Sequence, residues 1–239
     1  MFTGAELGLA IAAVILGSVV QTLSGVGGGF IIVPLLALID LAWIPGSLVL
    51  SSMSLSGLMA WRERQAVDSA HMLPMMIGVM AGGAAGASLL TMVGFEQLGL
   101  VFGSMILLAV VVVMSGLHVK LSNGSAATAG FVAGTMGASS GIGAPVLALL
   151  YQDQSGPRVR ATLALLYTVA SFLILIALLV SGNFGWEDFY RGLALIPGFL
   201  IGYMMSFKLT SRLDHGGTRT IILVVSATAG IVLVLRSLF

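Results

Sequence analysis

The sequence predicts an all-α integral membrane protein made of two inverted repeats, each a glycine-broken hairpin followed by three transmembrane helices. Three observations predict it. The 239 residues are 58% hydrophobic and only 8% charged, whereas a soluble domain carries about 25% charged residues. No polar stretch is long enough to form a separate soluble domain. Finally, a glycine-rich motif, SGVGGGF at 24–30, returns as SGIGAPV at 140–146.

A helix needs about 20 apolar residues to cross the hydrocarbon core. Scarcity of Asp, Glu, Lys and Arg, with the few that occur near the ends, marks spans at roughly 5–23, 46–61, 71–93, 97–117, 161–181, 189–207 and 217–238. The first of these lacks the positive n-region of a signal peptide and reads as a membrane segment. Segments 24–42 and 124–151 are apolar too, but glycines interrupt them.

The basic residues decide how those two segments run, because cytoplasmic loops are enriched in Lys and Arg. As a simple span, 124–151 would divide the basic residues evenly between the two sides. If it turns at its glycines and returns, Arg62, Arg64, Lys120, Arg158, Arg160, Lys208, Arg212 and Arg219 share the cytoplasmic side. Only Arg191 and Arg236 then oppose them. The hairpin is therefore preferred, and the same reading is applied to 5–42. Both chain ends face outward, and the expected location is the cell (inner) membrane, multi-pass.

The motif recurs at an offset of 116 residues, Gly25 to Gly141. At the same offset Gly82 falls on Gly198, Gly86 on Gly202 and Ser52 on Thr168. The chain thus reads as a first repeat over 1–120 and a second over 121–239 within a single membrane domain. The loop after the second span is inside in the first repeat and outside in the second, which makes the repeats inverted. Inverted repeats with broken helices meeting near the midplane are a recurrent transporter plan.

A non-helical turn at membrane depth survives only if buried in protein or lining a wet cavity. Glycine permits the turn, and the helix that restarts after it points N–H groups and a positive dipole end outward. Gly27, Gly28 and Gly29 occupy that place in one repeat, and Gly141 and Gly143 in the other. Two such ends would hold a small anion without Lys or Arg. Gln21, Thr22, Ser24, Ser139 and Ser140 would add donors, with Ser52 and Thr168 from the following spans. Gly28→Leu is expected to stop flux while leaving the protein folded. Gly82, Gly86, Gly130, Gly134, Gly198 and Gly202 read instead as close-packing positions; these would suit a homodimer as readily as a monomer core. Tyr151, Trp43, Trp61 and Trp186 read as interfacial anchors.

Other functions are set aside on composition. A net charge of +1 offers no patch for nucleic acid. With no cysteine and with His71, His118 and His215 far apart, no metal site is expected. GASSG at 137–141 matches the nucleophile-elbow pattern but lacks its strand and its His and acid partners. Without a Walker sequence or a dinucleotide fingerprint, no ATP-driven step, no cofactor and no enzyme activity are expected. No Asp or Glu lies deep in a span to relay protons.

Together, GVGGGFIIVPLL and SGIGAPVLALLY, spaced as they are and followed by GGAAG and GFLIG, resemble the sulfite exporter TauE/SafE family of membrane transporters. The first motif meets the family pattern, a G-x-G-G-G run followed by Pro, over Gly25 to Pro34. The second departs from it, with Gly141-Ile142-Gly143-Ala144-Pro145. The resemblance implies export or exchange of small sulfur-containing anions such as sulfite or organosulfonates. Two rivals remain: a passive small-anion channel, and a non-transporting membrane scaffold that holds a partner.

Overall fold

The computed structural model describes residues 3–94, 97–116, 119–151, 157–209 and 215–238. His118, Arg212 and Asp214 lie outside them. The described residues are all-α, with no strand.

In chain order the helices are α1 (Gly4–Ser24), α2 (Gly28–Ile39), α3 (Gly46–Glu63), α4 (Met72–Met92), α5 (Leu98–Met114), α6 (Asn123–Ser140), α7 (Ala144–Leu149), α8 (Pro157–Val180), α9 (Trp186–Leu209) and α10 (His215–Leu238). Short 3₁₀ turns, Leu41–Trp43 and Arg64–Ala66, flank α3. Every stretch marked as a span coincides with a helix over its described residues. Three of them, Gly4–Ser24, Met72–Met92 and Arg158–Val180, are long and apolar enough to cross a membrane.

The segments read as interrupted are interrupted. At a rise of ~1.5 Å per residue, α1 reaches about 31 Å and α2 only about 18 Å. The second of these cannot cross a core about 30 Å thick.

Packing fixes the helix directions. Gly78, Gly82 and Gly86 of α4 press successively on the backbone of α6 at Ala127, Phe131 and Thr135, so the two run parallel. Gly198 and Gly202 of α9 press in the same way on α1 at Ile11 and Ile15. A Cβ at Gly82 would land on Phe131 O, which is the close approach that small residues allow. Helix α3 runs parallel to α9, through Gly46–Asp188 and Gly192–Ser47 contacts, and antiparallel to α8, where Glu63 meets Arg160. Helix α8 runs parallel to α4, with Asp68 N–H donating to Thr162 Oγ1 (2.9 Å) and Gly83 facing Ile174. It follows that α1 and α6 run in opposite directions.

Charge collects at one end of α3. Glu63 accepts from Arg62 (2.7 Å) and Arg160 (3.3 Å), and Arg62 also lies over the Tyr203 and Phe207 rings, 5.5 and 5.2 Å from their centroids. At the other end Arg191 pairs with Glu187 (3.3 Å) and donates to Ala42 O.

Two of the four aromatic anchors are not anchors. Trp61 and Trp186 are exposed, but Trp43 and Tyr151 are buried in the protein core. Trp43 ends the 3₁₀ turn that follows α2, and Tyr151 lies just beyond α7.

Candidate functional site

Helix α1 stops because Gly25 takes the left-handed conformation (φ 78°) and returns its N–H to Gln21 O at 2.8 Å, a single-bond left-handed cap. Gly27 is left-handed as well (φ 99°) and opens α2. Gln21 spans the break. Its Nε2 donates to Gly25 O (3.2 Å), and its Oε1 accepts from Gly28 N–H (2.9 Å). One of the N–H groups expected to meet a ligand is therefore already capped by protein. Gly29, the next residue, receives no such side-chain cap.

The second break begins alike and ends differently. Gly141 has φ 78° and donates to Gly137 O (2.9 Å), but Gly143 has φ −98°, with Pro145 in the first turn of α7. Gly143 is glycine for another reason, since a Cβ there would land on Ala133 O. The surroundings differ too. The Arg160 stem lies 3.0 Å from where a Gly25 Cβ would be, whereas Gly141 meets the apolar Leu48 at 3.1 Å, with Ile44 and Val33 behind.

A cavity of about 110 Å³ borders both breaks. A water needs roughly 10–15 Å³ on the same measure, so there is room for several waters or one small anion. Gln21, Gly28 and Gly29 line it from the first break, and Gly137, Gly141, Gly143 and Ala144 from the second. On α3 it extends from Leu48 to Ser56, about 12 Å at ~1.5 Å per residue. Among the described residues no charged side chain lines it.

Of the twelve expected site residues, Gln21, Gly28, Gly29, Ser52, Gly141 and Gly143 border this cavity. Thr22, Ser24, Gly27, Ser139, Ser140 and Thr168 do not. The hydroxyls explain themselves: Thr22 donates to Ser18 O (2.7 Å), Ser24 to Val20 O (2.7 Å), Ser139 to Thr135 O (2.7 Å), Ser140 to Met136 O (2.8 Å) and Thr168 to Ala164 O (2.8 Å). Each returns to its own helix, as Ser and Thr in apolar helices do. Ser52, inside the cavity wall, donates to Val49 O (3.0 Å).

Three polar wall residues escaped the sequence reading: Ser56, Tyr167 and Ser171. Tyr167 carried a signal, being a polar aromatic in the middle of an uncharged span. Its hydroxyl donates to Ala144 O (3.3 Å), tying α8 to the start of α7.

The structure also changes what Gly28→Leu would do. A Cβ at Gly28 would sit 2.7 Å from both Gly17 O and Gln21 Cβ. Even a methyl would push α2 off α1, so that substitution perturbs the fold itself.

The family model for the sulfite exporter TauE/SafE matches residues 9–233. The chain belongs to the TauE/SafE family. That match runs through both glycine breaks and every helix. No curated protein and no solved structure is detectably similar. TauE/SafE proteins are a transporter family, and with its apolar helices this member is a multi-pass membrane protein.

Proposed function

We propose that this TauE/SafE protein is a secondary transporter that exports a small sulfur-containing anion, sulfite or an organosulfonate, by alternating access. The anion sits between the two glycine breaks. The observation that carries this reading is the cavity itself: residues of both breaks border it, its polar groups are neutral, and it has room for one small oxyanion. Backbone N–H groups at restarting helices favour negative charge without any buried cation, which spares the protein an uncompensated charge when the site is empty.

The repeats are inverted, 1–120 against 121–239, and each begins with a glycine-broken hairpin. Pairs of contacts support this. Gly25 against Arg160 corresponds, at the offset read from the sequence, to Gly141 against Ile44. Asp68 against Thr162 corresponds to Phe184 against Gly46. The opposite directions of α1 and α6 agree. In the α4–α6 and α1–α9 pairs, Gly78 and Gly82 play the parts of Gly198 and Gly202, so this packing has slipped by one helical turn from the sequence offset. Rocking of one repeat against the other would open the cavity to each side in turn.

Counterflow tests the proposal. Proteoliposomes loaded with sulfite should transiently accumulate labelled sulfite from outside, and sulfoacetate, taurine, sulfate, thiosulfate or acetate should compete according to fit. Absence of accumulation with any of these, in folded protein, rejects a carrier; conductance far above carrier turnover would identify a channel.

A further inference from the structure

We propose that Ser171 is the hydroxyl that binds the transported anion. The inference rests on the transport reading above and assigns a ligand within that site. A serine hydroxyl carries a single proton to donate. In the cavity wall, Ser52 gives its proton to Val49 O (3.0 Å), Ser56 to Ser52 O (3.1 Å) and Tyr167 to Ala144 O (3.3 Å). Ser171 borders the same cavity, is half-buried, and makes no hydrogen bond to any described residue.

That behaviour is unusual for its place. On an apolar helix a serine returns its proton to a carbonyl three or four residues back, as Thr168 on the same helix does with Ala164 O (2.8 Å). Ser171 lies 14 residues into α8, about 21 Å from its start at ~1.5 Å per residue. At that depth lipid offers no acceptor, and a polar group must find its partner inside protein or in a wet cavity. The acceptor for Ser171 therefore comes from the cavity, and an oxyanion oxygen is the chemistry that matches a lone O–H donor. Gln21 Nε2, which has a second N–H beyond its bond to Gly25 O, adds a neutral donor to the same cavity wall.

The same fact separates function from fold. Ser171 has no hydrogen bond to a described residue to lose, so Ser171→Ala should leave the thermal midpoint in detergent unchanged. A hydrogen bond to a charged partner in a desolvated site should be lost, raising the half-saturation for the exchanged anion by about tenfold or more. Ser54→Ala, which removes a hydroxyl on α3 outside the cavity, is the comparison, with exchange as in the wild type.

The experiment is counterflow in proteoliposomes with the anion panel above, normalised to protein that elutes as a folded peak, alongside the melt. Weakened half-saturation with an unchanged midpoint is the expected result. Wild-type half-saturation in Ser171→Ala, or a lowered midpoint with exchange per folded molecule unchanged, overturns the role of Ser171 and leaves the transport reading standing. Failure of the wild type to exchange any anion of the panel overturns the transport reading, and the role of Ser171 with it.

Discussion

Truncating Gln21 to Ala tests whether the first break is held by its bridge. The side chain makes two bonds across the break, to Gly25 O at 3.2 Å and from Gly28 N–H at 2.9 Å. Each is worth about 1 kcal/mol net, and an N–H left without an acceptor adds roughly 1–3 kcal/mol. The Gly28 N–H borders a cavity that can hold water, which lowers that second contribution. A loss of about 2 kcal/mol is therefore expected. For a chain of this size it corresponds to a fall of roughly 4–8 °C in midpoint. Membrane proteins commonly unfold irreversibly, so the comparison is of apparent midpoints at one scan rate, read as the temperature at which the folded gel-filtration peak halves. Counterflow should fall too, because the restart of α2 moves. If Gln21→Ala melts like the wild type, the bridge does not hold the break. If it melts early but exchanges anion normally, the break geometry has no part in transport.

The glycines divide into two measurable classes. Gly82→Ala drives a Cβ onto Phe131 O and should lower the midpoint by several degrees, whereas Gly8→Ala, with nothing within 4 Å, should not. Gly29 also has nothing within 4 Å of its Cβ position and borders the cavity, so Gly29→Leu should keep the fold and block counterflow. Removing the Glu63 charge by Glu63→Gln takes a partner from Arg160, itself partly solvated (30% exposed), and should reduce stability by about 1 kcal/mol, seen as a small drop in the same melt. Reporter fusions after Gln152 and after Asp188 should fall on opposite sides of the membrane, with Gln152 inside; the reverse would reject the orientation read from the basic residues.

The spans were legible because the bilayer penalises charge so steeply that its absence marks helices almost by itself. Where the reading stopped short, charge was again the reason. The span read as 161–181 begins at Pro157, since Arg158 and Arg160 ride on the first turn of α8 with their heads toward Asp68 and Glu63. Long basic side chains reach water from inside a span, so a charge-free window trims the helix that carries them. Likewise α9 starts at Trp186 rather than 189, because Glu187 and Asp188 belong to its first turn, where the helix dipole favours them.

The ligand set was less legible, and for a different reason. Composition shows that hydroxyls are present; it cannot show which of them already has an acceptor. Thr168 and Ser171 differ by less than one turn of the same helix, yet one is satisfied by Ala164 O and the other makes no hydrogen bond to a described residue. The same limit applies to the two breaks. As sequences they share Ser-Gly-x-Gly and part at Gly28-Gly29 against Ala144-Pro145, but one is covered by a charged stem that pairs with Glu63 and the other by Leu48, Ile44 and Val33. Under the proposed alternating access, a passage opening past both covers would meet unlike barriers. Separating Arg160 from Glu63 exchanges an ion pair for hydration, which salt screens. Separating Leu48 from Gly141 exposes apolar surface, which salt does not screen. If the repeats do rock against one another, opening toward the Arg160 end should therefore be the salt-sensitive half of the cycle, and counterflow measured with salt varied separately on the two sides should show it on one side only.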